Sequence, residues 1–115
     1  MKMIEISVPN LNDSFSRVIL DSTAYLIRFT WNETGQYWTF GIYTSLQEPI
    51  VQGIKIVPRF PLNLQYIDKR LPNGVLGVYT KGNFHGKFPY QERILRNDFK
   101  NGNAVFAYIS ANQLQ

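Results

Sequence analysis

Tyr25-Leu26-Ile27-Arg28-Phe29-Thr30-Trp31, then Asn32-Glu33-Thr34-Gly35, then Gln36-Tyr37-Trp38-Thr39-Phe40-Gly41-Ile42-Tyr43 is the stretch from which the fold is read. Two runs rich in aromatic and β-branched residues flank a polar break ending in Gly, the signature of a β-hairpin. Tyr25, Ile27, Phe29 and Trp31 recur at spacing two, so one face of the first strand is wholly apolar. Trp38, Phe40 and Ile42 form the matching face of the second, opposite Tyr37, Thr39 and Tyr43. A slip of one residue would move the whole apolar set to the wrong face, so the alternation also fixes register.

Working outward, the same kind of short strand recurs at Met3–Val8, Phe15–Leu20, Ile50–Val57, Val75–Thr80 and Ala104–Ser110. Between the strands lie Pro9-Asn10, Asp21-Ser22, Glu48-Pro49, Pro58, Pro72-Asn73-Gly74 and Asn101-Gly102-Asn103. Asn, Asp and Gly at such sites supply positive φ or local side-chain bonds to the backbone, which makes them turns with a mechanism. The pattern predicts an all-β chain: a single small β-sandwich or β-barrel of about seven antiparallel strands, spanning residues 1–115 as one unit. Ile27, Phe29, Phe40, Ile54, Ile56 and Val105 are the expected core.

Two segments break the pattern. Arg59 to Leu71 reads as an extended crossing or one short helix. Lys81 to Lys100 is a long irregular loop interrupted by Gly82, Gly86 and Pro89, with a helical turn or two expected over Gln91–Phe99. Loops of that length inside a compact unit are usually functional or locally disordered. Its Phe84, Phe88 and Tyr90 either fold back on the core as a lid or face a partner.

At 115 residues the chain should bury roughly 65% of its unfolded surface, enough for a modest core without covalent staples. It has no Cys, which removes disulfides, thiolate metal sites and Cys nucleophiles and favours folding in a reducing cytoplasm. Met1-Lys2-Met3-Ile4-Glu5-Ile6 lacks the apolar run of a signal peptide, and no stretch approaches the ~20 apolar residues of a membrane helix.

The single histidine, His85, leaves no paired-imidazole zinc site and no dyad with a second histidine. The eight carboxylates are scattered, Gly82-Asn83-Phe84-His85-Gly86 lacks the Lys-Ser/Thr of a phosphate loop, and Ser14, Ser16 and Ser45 have no nucleophile-elbow context. No catalytic, cofactor-binding or metal-binding residue is assigned.

The net charge of +4 is uneven: Met1 to Ile54 carries −2 (three basic, five acidic) and Lys55 to Gln115 carries +6 (nine basic, three acidic). Lys81, Lys87, Arg93, Arg96 and Lys100 concentrate in the irregular loop and are the candidate partner-binding residues. A basic surface suits an acidic protein face or nucleic acid. Small barrels bind single strands through a positive groove interleaved with stacking aromatics. Here the basic residues cluster away from the strand aromatics, and Trp31 and Trp38 suit a core position beside the hairpin turn.

The order of motifs has a family parallel. The N-terminal strand, Pro9-Asn10, Ser14-Phe15-Ser16, Ile19-Leu20-Asp21, Tyr25-x-Ile27-x-Phe29, Trp31-Asn32, Trp38, Pro49-Ile50, Gly53-Ile54, Leu62, Tyr66, Asn73-Gly74 and Val105-Phe106-Ala107-Tyr108 together resemble the baseplate plug proteins of contractile-tailed bacteriophages. The resemblance runs from about Ile4 to Ile109, and its motifs are structural. The stretch Lys81 to Lys100 is more basic than that family pattern, and Ser22-Thr23-Ala24 lacks a Gly. The resemblance implies a non-enzymatic virion protein at the centre of the tail baseplate, made in the host cytoplasm and needing no cofactor. Its partners would be hub, tail-tube and spike proteins or further copies of itself on the tail axis, with no membrane and with nucleic acid an unlikely partner. A small barrel binding single-stranded nucleic acid is the alternative.

Overall fold

The computed structural model describes residues 3–58, 61–80 and 94–110. The alternating segments become strands β1 (Ile4–Ile6), β2 (Asp13–Leu20), β3 (Thr23–Asn32), β4 (Tyr37–Thr44), β5 (Pro49–Lys55), β6 (Leu62–Asn63), β7 (Gly74–Thr80) and β8 (Ala104–Ser110). Two four-residue helices, α1 (Leu64–Ile67) and α2 (Asp98–Asn101), complete the described elements. Of the segment Arg59 to Leu71, Arg59 and Phe60 lie outside the described residues, and the rest holds both an extended piece and a short helix, since Leu62 and Asn63 pair with β7 before Asn63 caps α1 through its side chain.

The strands form two antiparallel four-stranded sheets, ordered β1-β8-β7-β6 and β2-β3-β4-β5, with no barrel closure among the described residues. Three successive hairpins build the second sheet as a meander. The first sheet gathers strands from both ends of the chain and places β8 in its middle. The β3–β4 hairpin has the register expected of it, with Ile27 opposite Ile42, Phe29 opposite Phe40 and Trp31 opposite Trp38. Its turn is organised by Asn32, whose Oδ1 accepts from the Gly35 N–H at 2.8 Å and whose carbonyl accepts from the Gln36 N–H at 2.8 Å. The left-handed residue is Gln36 (φ 59°), not Gly35; Gly35 is needed because the Tyr37 ring lies where its Cβ would stand.

The β2–β3 turn is two residues, Asp21 and Ser22, both at positive φ (51° and 71°), which matches the twist of the flanking strands without a Gly. Strand β5 is less regular. Its register against β4 shifts twice, between Phe40 and Ile42 and between Ile42 and Tyr43, and Gly53 takes φ 72° within the first shift. This is a β-bulge, in which one extra residue on a strand bends it and sharpens its twist.

The core lies between the sheets. Phe106 of β8 stands edge-on to Phe29 of β3 and to Phe40 of β4, both at 5.2 Å between centroids. Offset and perpendicular ring pairs of this kind add stabilisation beyond the apolar area they bury. Ile27, Phe29, Phe40 and Ile56 are buried as expected, and Ile54 packs against the core from its rim. Val105 departs from expectation: it is half-buried, and its neighbours Ala104, Phe106 and Tyr108 are the core residues of β8. Strand Ala104–Ser110 has no polar residue until Ser110, so periodicity alone did not say which face turns inward. Residue volume decided it, because the space opposite Phe29 and Phe40 takes an aromatic ring.

Candidate partner-docking site

At the end of the sandwich holding the β3–β4 turn, Trp31 and Trp38 lie side by side, 5.4 Å between centroids at 63°. Both are buried, and the Trp31 Nε1 donates to Glu33 at 2.6 Å. Arg96, just ahead of α2, lies over Trp38 at 5.1 Å, and its Nη1 donates to the Leu11 carbonyl at 3.1 Å. Phe99 of α2 packs edge-on to Trp38 at 6.1 Å. Arg96 therefore ties the loop before α2 to the sheet, as a guanidinium stacked on an indole face and bonded to a carbonyl. Lys100, in the same helix, is exposed. Lys55 on β5 lies over the Tyr37 ring at 4.7 Å.

Of the five candidate residues, the structure places Arg96 and Lys100 at the end of the molecule formed by the hairpin turn and α2. Lys81, Lys87 and Arg93 lie outside the described residues, as do His85, Phe84, Phe88 and Tyr90. Burial of Trp31 and Trp38 removes both indoles from any exposed stacking surface on the strands. The Trp38 Nε1 is buried with no hydrogen-bond partner among the described residues.

Other charged groups serve the framework. Arg28 of β3 and Asp13 of β2, diagonal neighbours in a ladder that sets Arg28 opposite Phe15 and Asp13 opposite Thr30, form a two-pronged pair at 2.7 and 2.6 Å. The hydrogen bond from Arg28 holds the Asp13 carboxyl below its usual range, with a smaller Coulombic contribution from the same side chain. Asp68 accepts from the Arg70 side chain and N–H, which lowers its pKa to about 2. Both pairs are exposed, and exposed ion pairs contribute little to stability. Tyr108, fully buried, donates to Asp21 Oδ2 at 2.8 Å and so ties the first sheet to the β2–β3 turn of the second. Burial, and then the Asp21 carboxylate, push its phenol well above the ordinary tyrosine range.

Among the described residues no group of three His, Cys, Asp or Glu could hold a metal ion, and no helix is long and apolar enough to cross a membrane. Two openings in the surface have mainly apolar linings. One of about 200 Å³ enters between the sheets beside Phe40, Ile54, Leu62, Leu76, Val78 and Phe106. A wider one of about 440 Å³ lies on the outer face of the first sheet over Val75, Tyr79, Ala107 and Ile109.

Sequence reasoning missed the second of these, because Val105, Ala107 and Ile109 were not separated from the inward set. It also missed the exposed apolar residues of β2, Phe15 and Ile19 (44% and 61% exposed), although their spacing of four on an alternating strand put them on one face.

Fold and surface together define a small all-β sandwich whose features are packing and contact. Residues 1–111 match the model of a family described as the cyanophage baseplate Pam3 plug gp18. The chain belongs to this family of phage baseplate plugs. No curated protein matches it significantly.

Proposed function

We propose that the chain is a non-catalytic structural protein of a phage tail baseplate, seated as the central plug where the hub meets the end of the tail tube. The observation that carries this reading is the family match over nearly the whole chain. The architecture is compatible: two sheets share one aromatic core, and Tyr108–Asp21 links them through a buried phenol, which suits a part that must transmit force without deforming. In this reading residues 1–115 act as one β unit and bind no cofactor.

The end carrying Arg96 and Lys100, with Lys81, Lys87 and Arg93 from the same basic segment, docks on acidic groups of neighbouring hub, tube or spike proteins. Charge complementarity of this kind steers association and sets register more than it adds affinity. The protein is made in the host cytoplasm and carried in the virion.

The test is mass spectrometry and electron microscopy of tails purified from the phage that encodes the chain. Stoichiometric presence in the baseplate, and tails that fail to assemble or seal when the gene is deleted, support the proposal. Tails that lack the chain and assemble normally without it overturn it. Retention of the isolated protein on single-stranded DNA, steeply weakened by salt, would favour the nucleic-acid alternative.

A further inference from the structure

Four strands lie at sheet edges, and three of them are blunted. Strand β1 has three residues and β6 has two, while β5 starts at Pro49 and carries two register shifts. Short length, proline and bulges are the usual means of stopping an edge from pairing with another chain. Strand β2 has none of them. Its eight residues, about 26 Å of strand, pair one-to-one with β3 without a shift.

The two-residue turn after Leu20 makes Leu20–Thr23 a hydrogen-bonded pair, so alternation sends the backbone N–H and C=O of Ile19, Arg17 and Phe15 away from β3. Among the described residues no backbone bond outside the ladder reaches them. Ser16 does contact the preceding segment, but through its hydroxyl, which donates to the Ser7 carbonyl at 3.1 Å.

The same three residues share the outer face. Phe15 stacks edge-on to Tyr43 at 5.2 Å and remains 44% exposed; Ile19 is 61% exposed. Of the two charges on β2, Asp13 is already matched by Arg28, and exposed Arg17 has no ion pair among the described residues. We infer that β2 is a docking edge that accepts an extended strand of another protein, one carrying an acidic residue opposite Arg17 and apolar residues two positions to either side, facing Phe15 and Ile19. This is strand addition, in which backbone bonds give affinity and alternate side chains give specificity. A second copy fits less well: pairing Phe15 with Ile19 of another copy sets two Arg17 side chains directly opposite each other, where like charges repel, and pairing Phe15 with Phe15 sets Arg17 against an Asp13 whose carboxylate Arg28 already holds. The inference rests on the edge geometry and the exposed side chains of β2 and is independent of the plug assignment.

The test uses the isolated, isotope-labelled protein and a capped peptide, Thr-Val-Thr-Glu-Thr-Val-Thr. Amide exchange followed by NMR should show the N–H groups of Phe15, Arg17 and Ile19 slowing as peptide is added, with shift changes centred on β2. Replacing the central Glu of the peptide by Lys should weaken binding about three-fold, and Arg17→Glu should reverse that preference. Arg17→Pro, which removes an outward N–H, should abolish binding. Should Arg17→Pro fail to fold, the charge swap decides alone. No slowing at these three amides, slowing centred elsewhere, no reversal with Arg17→Glu, or slowing with protein concentration in the absence of peptide overturns the proposal.

Discussion

Phe106 and Tyr108 sit two residues apart on β8 and hold the sandwich in different ways. Phe106 touches Phe29, Phe40 and Phe99, so its removal leaves a cavity lined by three rings. Phe106→Ala should cost about 3–5 kcal/mol, whereas Val105→Ala, on the half-buried face, should cost well under half of that. Urea denaturation of the two variants checks it, and equal losses would show that the faces of β8 are reversed. The apolar run of β8 hid this distinction from the sequence, while in β3 interleaved Arg28 and Thr30 exposed it.

Tyr108 contributes a hydrogen bond to a carboxylate, and Tyr108→Phe should lower stability at neutral pH by about 1.5 kcal/mol. Its folded pKa is raised above the unfolded value near 10. The neutral phenol's stabilisation is therefore fully present below about pH 10 and is lost as pH rises beyond that. The gap between parent and Phe variant should accordingly narrow in alkaline melts, and a gap that widens there would contradict the assignment. No sequence signal linked Tyr108 to Asp21, which are 87 positions apart.

Among the elements, hairpins were legible where side-chain chemistry set both alternation and turn. The β3–β4 pair was clear because every second residue from Tyr25 to Trp31 is large and apolar. Strand β5 was visible but its bulges were not, since a bulge is a property of pairing between two strands. Strand β6 is two residues long and has no period to read. Gly53 offers a direct check on the bulge. A Cβ there meets nothing within 4 Å, so the cost of Gly53→Ala is conformational alone. Left-handed backbone at an L-residue other than Gly costs about 1–2 kcal/mol, and Asn tolerates it better than Ala. Thermal melts should rank parent above Gly53→Asn above Gly53→Ala. A neutral Gly53→Ala would mean that β5 pairs with β4 without the bulge.

At the scale of the whole molecule, the two candidate docking residues within the described part of the chain, Arg96 and Lys100, sit near one end of the sandwich but are not equivalent there. Arg96 is a positioning group for the loop before α2, because it stacks on Trp38 and bonds the Leu11 carbonyl. Arg96→Glu should therefore lose stability as well as charge, through the stacking contact and the carbonyl bond together. Lys100 is exposed, and surface substitutions usually change stability by ~0.5 kcal/mol or less. The sequence showed both as basic residues of one segment and could not separate them, since the contact with Trp38 crosses 58 positions of chain. The informative variant of the intact protein is thus Lys87→Glu, Arg93→Glu and Lys100→Glu combined, with Arg96 left in place. Its melting temperature should stay close to the parent's, and its incorporation into purified tails should fall sharply, more so at low salt, where opposed like charges are least screened. Parental incorporation of this folded, charge-reversed protein would show that the basic end does not meet the neighbours in the baseplate.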